Sequence, residues 1–274
     1  MSINGINIIL YTDIGDDIDD TLALWFTNKT TAIQSMIVIL SSDDSNKRLQ
    51  TRQEVAPHLT TSYTMIVWDS ASCDSELQSQ IQADTEYTIL CIWPTTECAR
   101  HIKQHIIPHK QINSLTIQAW ITPNNNTTDA WRRLNQESRN LKTDIQAAQF
   151  FDSSFLTYNI PINWIGKHAA YEIWLSKQRF RQLAIQEKDF GEYIEKQAYD
   201  WQKFFALHNA SKYAEIYWEN SNILSFPYDL IALISIIYPD YINWEMYDCY
   251  KVTWYKPWKR LKEEVFWLLG SERN

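Results

Sequence analysis

Short, continuous apolar runs recur through the first two thirds of the chain: Ile6–Tyr11, Met36–Leu40, Met65–Trp68, Thr88–Trp93, Leu115–Ile121 and Pro161–Ile165. Each is too short to be a helix with a buried face, and several are rich in Ile and Val. Strands covered on both faces of a parallel sheet read this way. Amphipathic segments separate them, at Asp20–Phe26, about Asn46–His58, Glu97–Ile107 and Thr143–Phe155. The alternation predicts an α/β fold, an open and mostly parallel β-sheet flanked by helices. From His168 to about His208 the pattern turns helical, an apolar helix follows at Pro227–Tyr238, and a late strand is expected at Tyr250–Trp254. With no internal repeat and no Gly/Ser- or Pro-rich linker, residues 1–274 are expected to form a single domain. In such a sheet, ligands bind beyond the carboxyl ends of the strands.

The first of those ends is unusual. Ile6–Tyr11 runs into Thr12-Asp13-Ile14-Gly15-Asp16-Asp17-Ile18-Asp19-Asp20, and a helix then begins with Thr21-Leu22-Ala23-Leu24. One or two aspartates at a helix start would cap it and suit its macrodipole. Five within eight residues repel one another across a few ångströms unless a cation neutralises them. Hard oxygen donors favour Ca²⁺ or Mg²⁺ over a thiophilic metal. The spacing is not that of an EF-hand, which needs a central Gly and a terminal Glu.

Composition narrows the partners. Gly5, Gly15, Gly166, Gly191 and Gly270 are the only glycines, too scattered for a phosphate loop or a dinucleotide fingerprint. A net charge of −8 argues against a nucleic-acid binder, which needs a basic face. The four cysteines show no C-x-x-C pair. With no signal-like start and no long apolar span, a reduced, cytoplasmic protein without a membrane partner is expected.

Beyond the acidic loop, three stretches follow in a recognisable order. Asp13 to Leu24 resembles the N-terminal signature of nucleoside hydrolases, in the variant with two extra residues before the final Asp pair. Leu90-Cys91-Ile92-Trp93-Pro94-Thr95-Thr96-Glu97-Cys98-Ala99 resembles that family's strand-to-helix turn, with Pro94 and Thr96 matching. Asn140 to Ala148 is similar to its Asn-x-x-x-Asp-x-x-Ala-Ala stretch. Phe226-Pro227-Tyr228-Asp229-Leu230-Ile231-Ala232 resembles its late helix start. Ile37–Arg48 resembles the second strand and substrate loop, with Asp43 where many members have Asn.

The resemblance implies a Rossmann-like nucleoside hydrolase fold and a Ca²⁺ ion held by Asp13, Asp20, the Thr96 carbonyl and Asp229. It implies Asp19 as the general base that activates water, and Asn140 and Asp43 as ligands of the sugar. The expected reaction is Ca²⁺-dependent cleavage of the N-glycosidic bond of a nucleoside or related ribosyl compound, a salvage-type chemistry. By family habit a homodimer or homotetramer is expected. Three departures stand beside these matches. Tyr11 replaces an Asp that opens the motif and so removes support for the ligands. Tyr228 replaces a His that protonates the leaving base, and Ser138 stands where a Glu helps to hold the sugar. A phenol is a far weaker acid near neutrality, with an unperturbed pKa of about 10. The alternative is therefore a Ca²⁺-binding homologue that binds ribosyl ligands or is structural, or one shifted to a phosphorylated or ADP-ribosyl substrate that Lys47 and Arg48 would meet.

Two weaker patterns complete the reading. His101, His105 and His109 recur every four residues and are expected to be surface or internally satisfied rather than metal ligands. Most of the 13 Trp are expected in the core, with Trp93, Trp120, Trp164 or Tyr228 as candidates to stack on a base. The basic-aromatic run Lys251–Lys262 is read as an edge strand followed by a solvated helix.

Overall fold

The computed structural model describes residues 5–15, 17–41, 45–59, 63–68, 72–119, 138–151, 158–166, 173–186, 188–211, 223–242, 245–247 and 250–252. Six strands follow the apolar runs: β1 (Ile6–Thr12), β2 (Ile33–Leu40), β3 (Tyr63–Val67), β4 (Tyr87–Cys91), β5 (Ile112–Gln118) and β6 (Ile162–Ile165). They form a parallel sheet in the order β3-β2-β1-β4-β5-β6. β10 (Tyr250–Val252) extends it in parallel beside β6, and β9 (Glu245–Tyr247) closes the edge antiparallel. A separate antiparallel pair joins β7 (Leu175–Ser176) to β8 (Ile223–Ser225).

Strand order reverses direction at β1. From there the chain moves outward through β2 and β3, and it returns to the other side of β1 to build β4, β5 and β6. The carboxyl ends of β1 and β4 thus flank the topological switch point, where connections diverge to opposite faces and leave a crevice.

Alternation along the strands divides the core in two. Ile8, Leu10, Val38, Leu40 and Leu90 face one side, where they bury against α1 (Asp19–Phe26) and α9 (Tyr228–Ile237). Both helices are apolar almost all round, and they also pack on each other. Ile9, Tyr11, Ile39, Ile89 and Cys91 face the other side, toward α3 (Cys73–Gln80), α4 (Thr96–Lys103) and α6 (Ile145–Gln149). The remaining helices are α2 (Ser45–Val55), α5 (Arg139–Lys142), α7 (Lys177–Gln186) and α8 (Lys188–His208). Among the described residues, no helix is long and apolar enough to cross a membrane.

The sheet is the one the sequence predicts, and two differences have local causes. The expected helix Thr143–Phe155 is cut at its start, because the Asp144 carboxylate accepts the Ala147 N–H at 3.0 Å and caps a new helix. The α3 helix goes unread in the sequence because only Cys73 and Leu77, one turn apart, are buried in it. The loop at 122–128 and the far part of 251–262 lie outside the described residues.

Ile9, fully buried in the central strand, sets a stability test. Ile9→Ala is expected to cost about 2–5 kcal/mol by lost transfer energy and a residual cavity. Ile185→Ala, at a side chain 83% exposed, is expected to stay within about 0.5 kcal/mol. Urea midpoints at constant m-value check both.

Candidate functional site

The strand β1 ends at Thr12, and the loop turns sharply at Gly15, whose φ of 104° is a conformation that side-chain-bearing residues rarely adopt. The turn lets α1 start with Asp19 and Asp20 in its first turn. Capping does not account for these carboxylates, since the residue before the helix is Ile18, and it makes no side-chain cap bond. Asp229 occupies the first turn of α9. Because α1 and α9 pack together, two helix N-termini converge, and their exposed N–H dipoles favour negative charge between them.

Asp19, Asp20 and Asp229 are all buried, with carboxylate oxygens within 4.8 Å of one another. Asp13 is buried beside them and adds its charge to Asp229. Burial raises the pKa of Asp19 well above the usual carboxylate range, and repulsion from Asp17 and Asp20 raises it further. Burial also raises Asp229, with added repulsion from Asp19, Asp20 and Asp13. Burial and mutual repulsion thus favour keeping a proton on this carboxyl pair. A proton thereby performs part of the neutralisation that a cation would complete.

The surrounding groups fix the cluster. Thr12 Oγ1 donates to Asp20 Oδ1 and accepts the Ile14 N–H at 3.2 Å. Asp17 turns instead toward the backbone and β8, its Oδ1 accepting the Ile18 N–H at 2.6 Å and the Ser225 hydroxyl at 3.3 Å. After β4, Thr95 and Thr96 open α4, and the buried Thr95 Oγ1 has no hydrogen-bond partner. Asn140, on α5, ties the ends of two strands together. Its amide donates to the Gln118 carbonyl at 2.8 Å, to Gln118 Oε1 at 2.9 Å and to the Ile92 carbonyl at 3.4 Å.

Three buried carboxylates converging within 4.8 Å, with an orphaned hydroxyl at the same sheet end, fit a hard divalent cation.

A cavity of about 420 Å³ borders this end of the sheet. Gly15 and Arg139 line it beside the loop and Asn140, and Tyr193, Gln197, Trp201 and Phe204 of α8 line it opposite. The rings of Trp201 and Phe204 stack at 5.6 Å. Gln197 links the cavity to α1, accepting from Thr21 Oγ1 at 3.3 Å and donating to the Tyr193 hydroxyl at 2.6 Å. A larger cavity of about 630 Å³ lies at the amino ends of the strands, around Gly5, Asn7, Thr88 and Ser114, away from every aspartate of the cluster.

The predicted residues are thus partly gathered. Asp19, Asp20 and Asp229 meet, Asp13 stands next to them, and Asn140 and Thr96 lie at neighbouring strand ends. Tyr228 packs on the α1–α9 core, its ring stacked on Phe226 at 5.7 Å. Asp43 and Asp16 lie outside the described residues, as do Trp120, Glu137 and the side chains of Lys47 and Arg48. Tyr11 does not face the aspartates at all. Its hydroxyl meets His101 Nδ1 at 2.8 Å on the opposite face of the sheet, within the core. Sequence reasoning missed Thr12, Thr95 and Gln118. A hydroxyl directly preceding Asp13 at a strand end was the available signal for the first.

No protein-family model matches the chain, and no curated protein matches it in sequence. Solved structures do match. The effector protein XOO4466 superposes with a TM-score of 0.69 at 13% identity, over 97% of this chain and 93% of that one. The type III effector XopQ, complexed with adenosine diphosphate ribose, gives 0.68 at 14% identity over the same shares, 97% and 93%. The inosine-uridine preferring nucleoside hydrolase from Bacillus anthracis gives 0.62 at 12% identity, over 97% and 99%. The chain therefore has the nucleoside hydrolase fold, with its acidic cluster at the switch point of the sheet.

Raised carboxyl pKa values mean that folding takes up protons at Asp19 and Asp229. Their contribution is complete below the ordinary carboxyl pKa of about 4 and is lost as pH rises through the raised values. In chelator, the melting temperature of the protein is expected to fall with rising pH relative to the Asp19→Asn/Asp229→Asn double variant. Calcium should reverse that fall in the wild type alone. Parallel pH profiles for the two proteins would refute the retained proton.

Proposed function

We propose that the chain is a Ca²⁺-dependent N-ribohydrolase that cleaves a nucleoside or related ribosyl compound to ribose and free base. The observation that carries this reading is the buried meeting of Asp19, Asp20 and Asp229 at two helix N-termini, on a nucleoside hydrolase fold. Asp13, Asp20, Asp229 and the Thr96 carbonyl would hold the ion. Calcium, when bound, would lower the pKa of a coordinated water and fix the ribose hydroxyls.

Asp19 is the proton acceptor as water attacks the anomeric carbon. Its place in the cluster, beside Asp20 and Asp229, suits that role, since a general base must lie within reach of the water it deprotonates. Fixed carboxylates around the sugar favour the positive charge that develops as the C–N bond breaks. Asn140, tied to the ends of β4 and β5, is the ligand of the sugar hydroxyls, a role that Asp43 shares. The 420 Å³ cavity takes the leaving base, with Trp201 offering a ring to stack on and Gln197 an amide for a base edge. Tyr228 is a binding residue in this scheme rather than a proton donor.

A second reading has its own support: a ribosyl-binding protein without turnover. It rests on Tyr228, stacked on Phe226, because a phenol is ordinarily too weak an acid to protonate the leaving base. It also rests on the matching effector complexed with adenosine diphosphate ribose. Arg139 and Lys196, at the cavity, would meet the diphosphate of such a ligand.

Both readings are tested on one panel. Purified protein is incubated with purine and pyrimidine nucleosides and with ADP-ribose, in calcium or in chelator, and reducing-sugar release is measured. Calcium-dependent release is expected, with a loss of about 10²–10⁴-fold in Asp19→Asn. Equal rates in wild type and variant would overturn the assignment of Asp19. Calcium-dependent binding by calorimetry with no release from any compound would establish the second reading instead.

A further inference from the structure

The face of the sheet opposite the aspartates carries a second group of ligand-type side chains, and we propose that it is a site for a borderline transition-metal ion, Zn²⁺ by preference. Cys73 and Asp74 open α3, and His101 projects from α4. The thiol sulfur, a carboxylate oxygen and an imidazole nitrogen lie within 4.8 Å of one another. A tetrahedral zinc site, with bonds of about 2.0–2.3 Å, needs its donors within about 4 Å of one another, so adjustments of about 1 Å bring these three into place.

The chemistry of the set differs from that of the first site. Thiolate, imidazole and carboxylate together select Zn²⁺ or Co²⁺ over Ca²⁺, which takes oxygen donors alone. Cys73 is the first residue of its helix, and a bound ion would hold it as the thiolate.

The outer groups are placed as a metal site requires. A metal-bound histidine donates its other ring N–H to a fixed acceptor, which sets its tautomer and orientation. His101 has such a partner in the Tyr11 hydroxyl, 2.8 Å from Nδ1, and its Nε2 is directed at Asp74 Oδ1, 3.2 Å away. Asp74 is itself held by Arg100, through Nη1 to Oδ2 at 2.8 Å and Nη2 to Oδ1. Arg100 in turn lies over the Trp68 ring at 4.2 Å. Cys73 and His101 are fully buried, whereas Asp74 and Arg100 are 30% and 28% exposed. The ion enters past these last two, and the solvent side leaves a fourth position for water.

Cobalt reports directly on the thiolate. Chelator-treated protein, with calcium added back to fill the carboxylate cluster, is titrated with Co²⁺. A sulfur-to-cobalt charge-transfer band in the near ultraviolet is expected, together with the visible bands of a tetrahedral ion, and Zn²⁺ should displace both. Cys73→Ser should abolish the near-ultraviolet band, while Asp229→Asn leaves it unchanged. Asp74→Asn, at a partly exposed side chain, guards against a Cys73 variant that fails to fold. It should weaken cobalt binding by about tenfold or more. Absence of the near-ultraviolet band in the wild type, or its persistence in Cys73→Ser, would show that Tyr11, His101, Asp74 and Arg100 form a metal-free hydrogen-bond network and would overturn the proposal.

Discussion

Like charges held together out of water are the constraint on which the rest of this molecule turns. At the separations in the aspartate cluster, each pair of full charges would repel by on the order of 3 kcal/mol, even at an effective dielectric constant of about 20. A small domain with a total stability of about 5–15 kcal/mol cannot carry three such pairs uncompensated. Two structural devices reduce the cost. The first is the convergence of the N-termini of α1 and α9 on the carboxylates. The second is the upward pull of burial and repulsion on the Asp19 and Asp229 carboxyls, which favours a retained proton on the pair. Neither device is available unless the apolar faces of α1 and α9 pack together, so two of the least polar helices among the described residues serve in part to position the acidic site.

The sheet was readable because its strands are buried on both faces, which writes them as continuous apolar runs that no solvent-facing pattern dilutes. The acidic loop was readable for the opposite reason: its residues violate what burial allows, and only electrostatics explains them. What lay between these extremes was hidden. The Thr12–Asp20 bond spans eight residues and involves a threonine that any strand accommodates. The bonds of Asn140 to Gln118 and Ile92 depend on how two strand ends sit side by side, which no local pattern records. The histidine series shows the same limit. Its first member, His101, has partners, Tyr11 and Asp74, that lie 90 and 27 residues away in the chain, and it belongs to the group proposed as a metal site against the expectation from sequence.

Tyr11 shows what a departure from a motif puts in place of the support it removes. Taken with the acidic loop, it looks like support withdrawn from the ligands. Strand alternation, however, turns it away from the side on which α1 and α9 pack and places its hydroxyl on His101. The period of two along β1 therefore separates two chemistries by a single peptide unit. Thr12 serves the carboxylates, and Tyr11 serves the imidazole and, through it, Asp74 and Arg100.

That separation leaves the two faces under different constraints. The carboxylate site needs hard donors and a neutralising charge, and its geometry is set by two helix N-termini that cannot move without repacking the α1–α9 core. Cys73 and Asp74 of the second group sit on a helix held by only two buried residues, Cys73 and Leu77, and His101 on α4 lies beside the partly exposed Arg100. A change at Asp74 or Arg100 alters charge and hydrogen bonding there without disturbing the sheet, whereas a change at Asp229 reaches the switch point itself. The face that α3 covers thus meets solvent through Asp74 and Arg100, while the face under α1 and α9 is bound to its electrostatics.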